Sequence, residues 1–309
     1  MENRPGSFPK PERTPFTGSG VALVMPFTRD GIDEEALREL VRFHLREGTD
    51  ALVVNGSTGE ATTMSPEEQR RAVEVVVEEA GGRLPVAAGA GGSDTAAVAR
   101  LGRQAREAGA DLLLLSPPPY NKPTQRGIVA HFRAVMDAAD LPTIVYNVPG
   151  RTACNILPET VETLADQDER VVAVKEASGD IGQVAELCRR VAHRLAIYSG
   201  NDDQVVPLMA LGGMGVISVL ANVVPAQTSR MAKAFLEGEV AESRRLQLEL
   251  LPLIGALFRE SNPIPVKAAV GMLGFRVGPL RLPLVEASPA VVEELRREMG
   301  ALGLPLREG

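Results

Sequence analysis

Eight short apolar runs, each followed by a segment of helical period, limit most strongly what this 309-residue chain can become. They are VALVMPF (21–27), ALVVN (51–55), PVAAG (85–89), DLLLLSP (111–117), PTIVYN (142–147), VVAVKE (171–176), LAIYSG (195–200) and GVISVL (215–220). Most are apolar throughout instead of alternating, the pattern of parallel strands covered on both faces. The segments between them carry helix punctuation. In SPEEQRRAVEVVVEEAGG, Ser65 is an N-cap, Pro66 takes the first helical position and Glu68 completes a capping box. DEEALRELVRFHLREG opens on acids and closes on Gly48. A local echo, EGTDALVVNG against EAGADLLLLSP, repeats a helix-end glycine, an aspartate and a strand.

Eight β-then-α units in about 220 residues predict a (β/α)8 TIM barrel, a fold of roughly 250 residues. The expected division is a loose tail over 1–17, the barrel core over 18–224, and the last barrel helix with a C-terminal helical extension over 225–309. A doubly wound sheet is the alternative. Its one sign, GAGGSD (89–94), lacks the final glycine of a dinucleotide fingerprint, and no ribose-binding acid ends the next strand.

Composition narrows the chemistry. A net charge of −7 without a Lys/Arg-rich run argues against nucleic-acid binding. No apolar run reaches the roughly 18 residues of a membrane span. The N-terminal MENRPGSFPKPERTP has no apolar core of a signal peptide. Cys154 and Cys188 stand apart from any CxxC, as reduced thiols of a cytoplasmic protein do. His44, His131 and His193 fall in separate helix-like segments without metal-ligand spacing, so no metal is expected. If the protein activates a carbonyl, an amine is the remaining common route.

Lysine is scarce. Of 33 basic residues only Lys10, Lys122, Lys175, Lys233 and Lys267 are lysines, and Lys175 ends the apolar strand VVAVKE. Arginine keeps its proton in a protein; lysine can lose it and attack a carbonyl. A strand-end lysine reaching out to water is the plainer alternative.

Barrel active sites lie at the C-terminal ends of strands. Those ends here carry NGSTGE (55–60), PPPYNKP (117–123), YNVPGRT (146–152), Lys175 and SGNDD (199–203). Two of the three tyrosines, Tyr120 and Tyr146, belong to this set. GSTGE fits a plain turn as well as a set of amides and hydroxyls for a small carboxylate. Tyr146 fits a core residue with one satisfied hydroxyl, and Arg151 fits either a solvated cation or a bidentate carboxylate clamp. Asp202 and Asp203 fit caps of the next helix, while their charge disfavours the phosphate site common after strands 7 and 8 of such barrels.

Taken together, GSTGE, PPYNKPTQRG, YNVPGRT, VKEASG, SGNDD, GGMGVISVLANV and NPIPVKAAV resemble the dihydrodipicolinate synthase / N-acetylneuraminate lyase family of pyruvate-dependent class I lyases, in order from about Gly18 to the end of the chain. The resemblance implies a (β/α)8 barrel with a C-terminal helical region, assembled as a homotetramer, a dimer of dimers. It implies condensation of pyruvate, held as a Schiff base, with L-aspartate 4-semialdehyde in lysine and diaminopimelate biosynthesis. No cofactor beyond that imine is implied. Lys175 matches the imine-forming lysine, and Tyr146 the tyrosine that moves protons as the imine forms. Ser57 and Tyr120 match its relay partners, Tyr120 reaching in from a neighbouring subunit. Ser57 and Thr58 match the pyruvate carboxylate site, Arg151 the receiver of the aldehyde substrate's carboxylate, and Gly200 and Ile217 backbone positions lining the pyruvate site.

Two departures bear on substrate. Ser57 stands where the synthases more commonly have Thr and the neuraminate lyases Ser, whereas the arginine of VPGRT is characteristic of synthases. Sister aldolases acting on a 2-keto-3-deoxy sugar acid, 4-hydroxy-2-oxoglutarate or N-acetylneuraminate are therefore the enzymatic alternative. A carboxylate-binding regulatory barrel is the non-enzymatic one. Pro119, Ala61, Pro66, Gln69, Ser93 and Ala97 occupy the family's lysine-feedback positions without its aromatic, His and acidic ligands, so feedback by lysine is expected to be weak or absent.

Overall fold

A computed structural model describes residues 10–307. Eight parallel strands close into a barrel in chain order: β1 (Gly18–Ala22), β2 (Ala51–Val54), β3 (Val86–Ala90), β4 (Leu112–Leu115), β5 (Thr143–Asn147), β6 (Val171–Glu176), β7 (Ala196–Ser199) and β8 (Gly215–Ser218), with β8 pairing back to β1. The helices are α1 (Glu34–Glu47), α2 (Pro66–Ala80), α3 (Thr95–Glu107), α4 (Gln125–Ala139), a single turn α5 (Pro149–Thr152), α6 (Pro158–Gln167), α7 (Ile181–Val191), α8 (Val205–Ala210), α9 (Pro225–Leu236), α10 (Val240–Leu257), α11 (Ile264–Met272) and α12 (Pro289–Ala301). The expected TIM barrel is present. Among the described residues no helix is long and apolar enough to cross a membrane.

Strand alternation explains why the runs are apolar throughout. Ala51, Val53, Leu112, Leu114, Ile144 and Ile217 pack inside the barrel. Leu52, Val54, Leu113, Leu115, Val145 and Val174 point out, against the helices. Both faces exclude water, so neither tolerates a polar alternation. The predicted helix ends recur. Ser65 and Glu68 exchange both capping-box hydrogen bonds, and Gly48 closes α1 at φ 80°. In the echoed motif, Asp50 accepts from Ser19 N and Asp111 from Val86 N, each aspartate tying its strand to the one before. Asp94 of GAGGSD caps α3 by accepting from Ala96 N.

The fold departs from the sequence reading in three places. Strand β1 begins three residues before the apolar run, because its glycine half pairs with β8: a Cβ on Gly215 would lie 1.9 Å from Gly18 O. The loose tail expected over 1–17 lies outside the described residues for 1–9, while 10–17 are anchored. Arg13 pairs with Glu169, and Phe16 enters the barrel with its ring stacked 4.2 Å from Tyr198, whose hydroxyl donates to Phe16 O. His193 lies in the turn after α7, not in a helix. NPIPVKAAV builds α11, inside the region expected to be helical.

Candidate active site

Lys175 and Tyr146 meet because β5 and β6 place them in register, and each shares the inward parity of its neighbour two residues earlier. Lys175 Nζ lies 4.4 Å from the centroid of the Tyr146 ring. The lysine is 5% exposed, and among the described residues its Nζ has no hydrogen bond or ion pair. Burial pulls its ammonium from the ordinary 10.5 to about 8; Asp202 opposes that shift and Arg151 adds to it. Burial also raises the Tyr146 hydroxyl to about 12, with Arg151 pulling the other way. At neutral pH about one lysine in ten would then be neutral, against roughly one in three thousand for an ordinary side chain.

Backbone space around the lysine is tight. Gly200, at the exit of β7, donates to Glu176 O, and a Cβ there would lie 3.1 Å from Lys175 Cε and 2.6 Å from Ala177 Cβ. Ile217 is wholly buried on β8.

A cavity of about 570 Å³ opens at the C-terminal end of the barrel, lined by Ser57, Ser116, Tyr146, Arg151 and Asn262 among others. Lys175 is not on its wall, but the Tyr146 ring beside it is. A second hollow, of about 640 Å³, lies at the opposite end, among Leu84, Asp111, Pro142 and Arg170, where none of the candidate site residues falls. The cavity at the C-terminal end is the candidate site, since Ser57, Tyr146 and Arg151 line it.

GSTGE forms a short turn, Ser57–Gly59, between two left-handed residues, Asn55 at φ 58° and Glu60 at φ 52°. Ser57 is half-buried at the cavity, and Thr58 is buried with its Oγ1 accepting from Asn262 Nδ2 at 3.0 Å. Arg151, at the rim on α5, donates to Asn262 O at 2.9 Å. Tyr120 is the outlier: it is 90% exposed, at φ 69°, on the loop between β4 and α4. Within one chain it joins neither Lys175 nor the cavity.

Asp202 is not a helix cap. It is buried, and its carboxylate accepts from Ser218 Oγ, Val219 N and Leu220 N. These amides follow β8, where other barrels bind phosphate. The protein's own anion fills the place. Asp203 is exposed.

Sequence reasoning missed Asn262, Glu60 and Lys267. Lys267 Nζ pairs with Glu60 Oε1 at 2.7 Å, both side chains out of solvent. Its rarity as a lysine was a usable signal, as it was for Lys175.

A model of the dihydrodipicolinate synthetase family matches residues 15–302. The chain is 53% identical over 289 residues to a 4-hydroxy-tetrahydrodipicolinate synthase of Thermoanaerobacter sp. (strain X514), covering 94% of this chain and 97% of that protein. The corresponding protein of Clostridium perfringens is 48% identical over 94% of this chain and 99% of its own. Among solved structures, dihydrodipicolinate synthase from Aquifex aeolicus superposes with a TM-score of 0.92 at 42% identity, covering 95% of this chain and all (100%) of that one. A family match over nearly the whole described chain, on a barrel with this constellation at its mouth, identifies the chain as a member of the dihydrodipicolinate synthetase family.

Proposed function

We propose that this chain condenses pyruvate with L-aspartate 4-semialdehyde, the 4-hydroxy-tetrahydrodipicolinate synthase reaction, through an imine on Lys175. The observation that carries this reading is the lysine itself, buried in the barrel with no carboxylate in hydrogen-bond reach among the described residues and beside a tyrosine ring. Neutral Lys175 attacks C2 of pyruvate, and loss of water gives the imine. The protonated imine accepts the electrons released when a methyl proton leaves, forming an enamine. The enamine carbon attacks the aldehyde of the second substrate. That substrate's amino group then adds to the imine carbon and displaces the lysine, closing the ring.

Tyr146 and Ser57 relay protons, while Ser57 and Thr58 receive the pyruvate carboxylate. Thr58 Oγ1 already accepts from Asn262, which leaves its hydroxyl proton free to donate to that carboxylate. Arg151 receives the carboxylate of the aldehyde, and the main chain at Gly200 and Ile217 lines the pyruvate site. Tyr120 completes the relay from a second copy of the chain; its 90% exposure within one chain suits such a role and supports a homotetramer built from dimers. One structural relative, 41% identical, is described as a monomeric dihydrodipicolinate synthase variant, so assembly is a property to measure. Two free cysteines suit a reducing cytoplasm.

Borohydride reduction with pyruvate, followed by mass mapping, is expected to place the adduct on Lys175. Turnover with aspartate semialdehyde is expected to exceed that with sugar-derived keto acids. An adduct at Lys267 or Lys233 alone would overturn the mechanism, and a preference for the keto acids would favour a sister aldolase. With Pro119 and Ser93 bonded to each other and Gln69 bonded to Ala61 O, lysine is expected to inhibit weakly or not at all. An inhibition curve decides it.

A further inference from the structure

The loop that carries Ser57 and Thr58 is held from outside the barrel. Its flanking residues, Asn55 and Glu60, both adopt left-handed backbone, a conformation a branched or long side chain keeps only where its surroundings impose it. Within the loop, the turn bonds are Gly59 N to Gly56 O and Glu60 N to Ser57 O. Close in the chain, Asn55 Nδ2 donates to Gln69 O, and Thr63 N and Oγ1 donate to Glu60 O. Further restraints arrive from residues more than two hundred positions away. Glu60 Oε1 takes Lys267 Nζ at 2.7 Å, and Glu60 Oε2 takes Arg281 N at 2.9 Å. Lys267 Nζ also donates to Pro279 O at 2.8 Å and stands 4.6 Å from the ring centroid of Phe27, on which Arg281 packs as well. Arg281 further bonds Thr63 O and both oxygens of Glu68, at the start of α2. Asn262, just ahead of α11, reaches Thr58 Oγ1 with its side chain and takes Arg151 with its carbonyl.

We propose that the buried Glu60–Lys267 pair is a positioning device for the reaction: it fixes the Ser57–Thr58 loop against α11 and thereby sets the affinity for the pyruvate carboxylate. The two residues are positioning residues: Glu60 borders the cavity, but both its carboxylate oxygens are taken, by Lys267 Nζ and Arg281 N, so the pair acts through the loop it holds. A buried ion pair adds little net stability over a well-packed apolar pair, so what this one contributes is the direction it imposes on the loop it joins to α11. Apolar side chains of the same size would fill the volume without fixing the direction of approach. This inference rests on the reading of Ser57 and Thr58 as the pyruvate carboxylate site.

The test is the double variant Glu60→Met/Lys267→Met, in which no charge is left unpaired, with full-length protein and saturating aspartate semialdehyde. The pyruvate KM is expected to rise about tenfold or more while kcat changes by only a few-fold. Borohydride trapping at saturating pyruvate should still label Lys175. Lys267→Arg, which keeps the charge, is expected to recover part of the lost affinity. An unchanged pyruvate KM in a folded double variant would overturn the proposal, whatever happens to the melting temperature. Should that variant not fold, Glu60→Gln keeps the shape and carries the same readout, with the same unchanged KM counting against it. Thr58→Val separates the two readings. If it leaves the pyruvate KM unmoved, the carboxylate site itself is misplaced; if it raises KM and the double variant does not, only the positioning role fails.

Discussion

Lys175 inside the barrel and Lys267 on α11 are both withdrawn from solvent, at 5% and 2% exposure, yet only Lys267 has an anion against it. Burial lowers the ammonium of each. For Lys267 the hydrogen bond and charge of Glu60 counter that effect, and the result is a fixed cation that joins a loop to a helix. For Lys175 no hydrogen-bonded carboxylate counters it, and the result is an amine poised to lose its proton. The same side chain in the same chain is thus a tie or a nucleophile according to whether a carboxylate is within hydrogen-bond reach. Stability and reactivity should part company at these two sites.

The largest expected effect is on turnover. Lys175→Arg keeps a cation but not one that deprotonates, and activity should fall by about a thousandfold or more. Lys175→Met should lose activity equally while the protein becomes more stable. The folded-state value lies below the ordinary 10.5, so protonation opposes folding; the cost is full below about pH 8 and disappears above 10.5. At neutral pH it amounts to about 3 kcal/mol, an upper bound on the gain. Thermal unfolding of Lys175→Met at pH 7 and pH 10 checks the sign, and a lower melting midpoint at pH 7 would refute it.

Lys267→Met should do the reverse. It leaves Glu60 buried and unpaired, at a cost of about 3–5 kcal/mol. Denaturant unfolding should show that loss, and adding Glu60→Met should recover most of it. Similar behaviour of Lys175→Met and Lys267→Met in the same assay would erase the contrast drawn between the two sites.

Gly200→Ala tests whether the space around Lys175 is as tight as the backbone indicates. Gly200 is not in a left-handed conformation, so the effect would come from contact alone: the new methyl meets Ala177 Cβ and Lys175 Cε. Displacing the amine by a fraction of an ångström should lower kcat/KM by about ten- to a hundredfold, and the clash with Ala177 Cβ at 2.6 Å should lower the melting midpoint as well. The same substitution at Gly150, where a Cβ meets nothing within 4 Å, is the matched control.

Much of this arrangement could be read in advance, for reasons that are local. A parallel strand buried on both faces announces itself by an unbroken apolar run, and a rare residue type at its end stands out. Lys175, Tyr146 and the GSTGE turn were visible that way. What stayed hidden depends on pairs distant in the chain. Glu60 and Lys267 are 207 positions apart, and Asn262 is 204 from Thr58, so no periodicity or spacing joins them. Phe16 looked like part of a loose tail because its partner, Tyr198, lies 182 residues on. Asp202 was misread for a different reason. Acids after a strand usually cap the next helix, and only closure of β8 against β7 brings Ser218 and the amides of Val219 and Leu220 to its carboxylate.

Asp202 yields the smallest expected effect and the finest test of the contrast. Among the described residues it is the anion that acts on Lys175, through space and not through a hydrogen bond, and it favours the protonated amine. Burial raises its own carboxyl, while Ser218 and two backbone amides favour its charged form. Asp202→Asn keeps an acceptor for those donors and removes the charge, so the amine should lose its proton more readily. The rise of imine trapping with pH, followed by borohydride quenching at subsaturating pyruvate, should move toward acid by about one unit. Below its midpoint the variant should therefore trap faster than the parent, and above it the two should converge. An unmoved midpoint would mean that Asp202 is already neutral at working pH, and that Lys175 owes its lowered value to desolvation with no opposing anion at all.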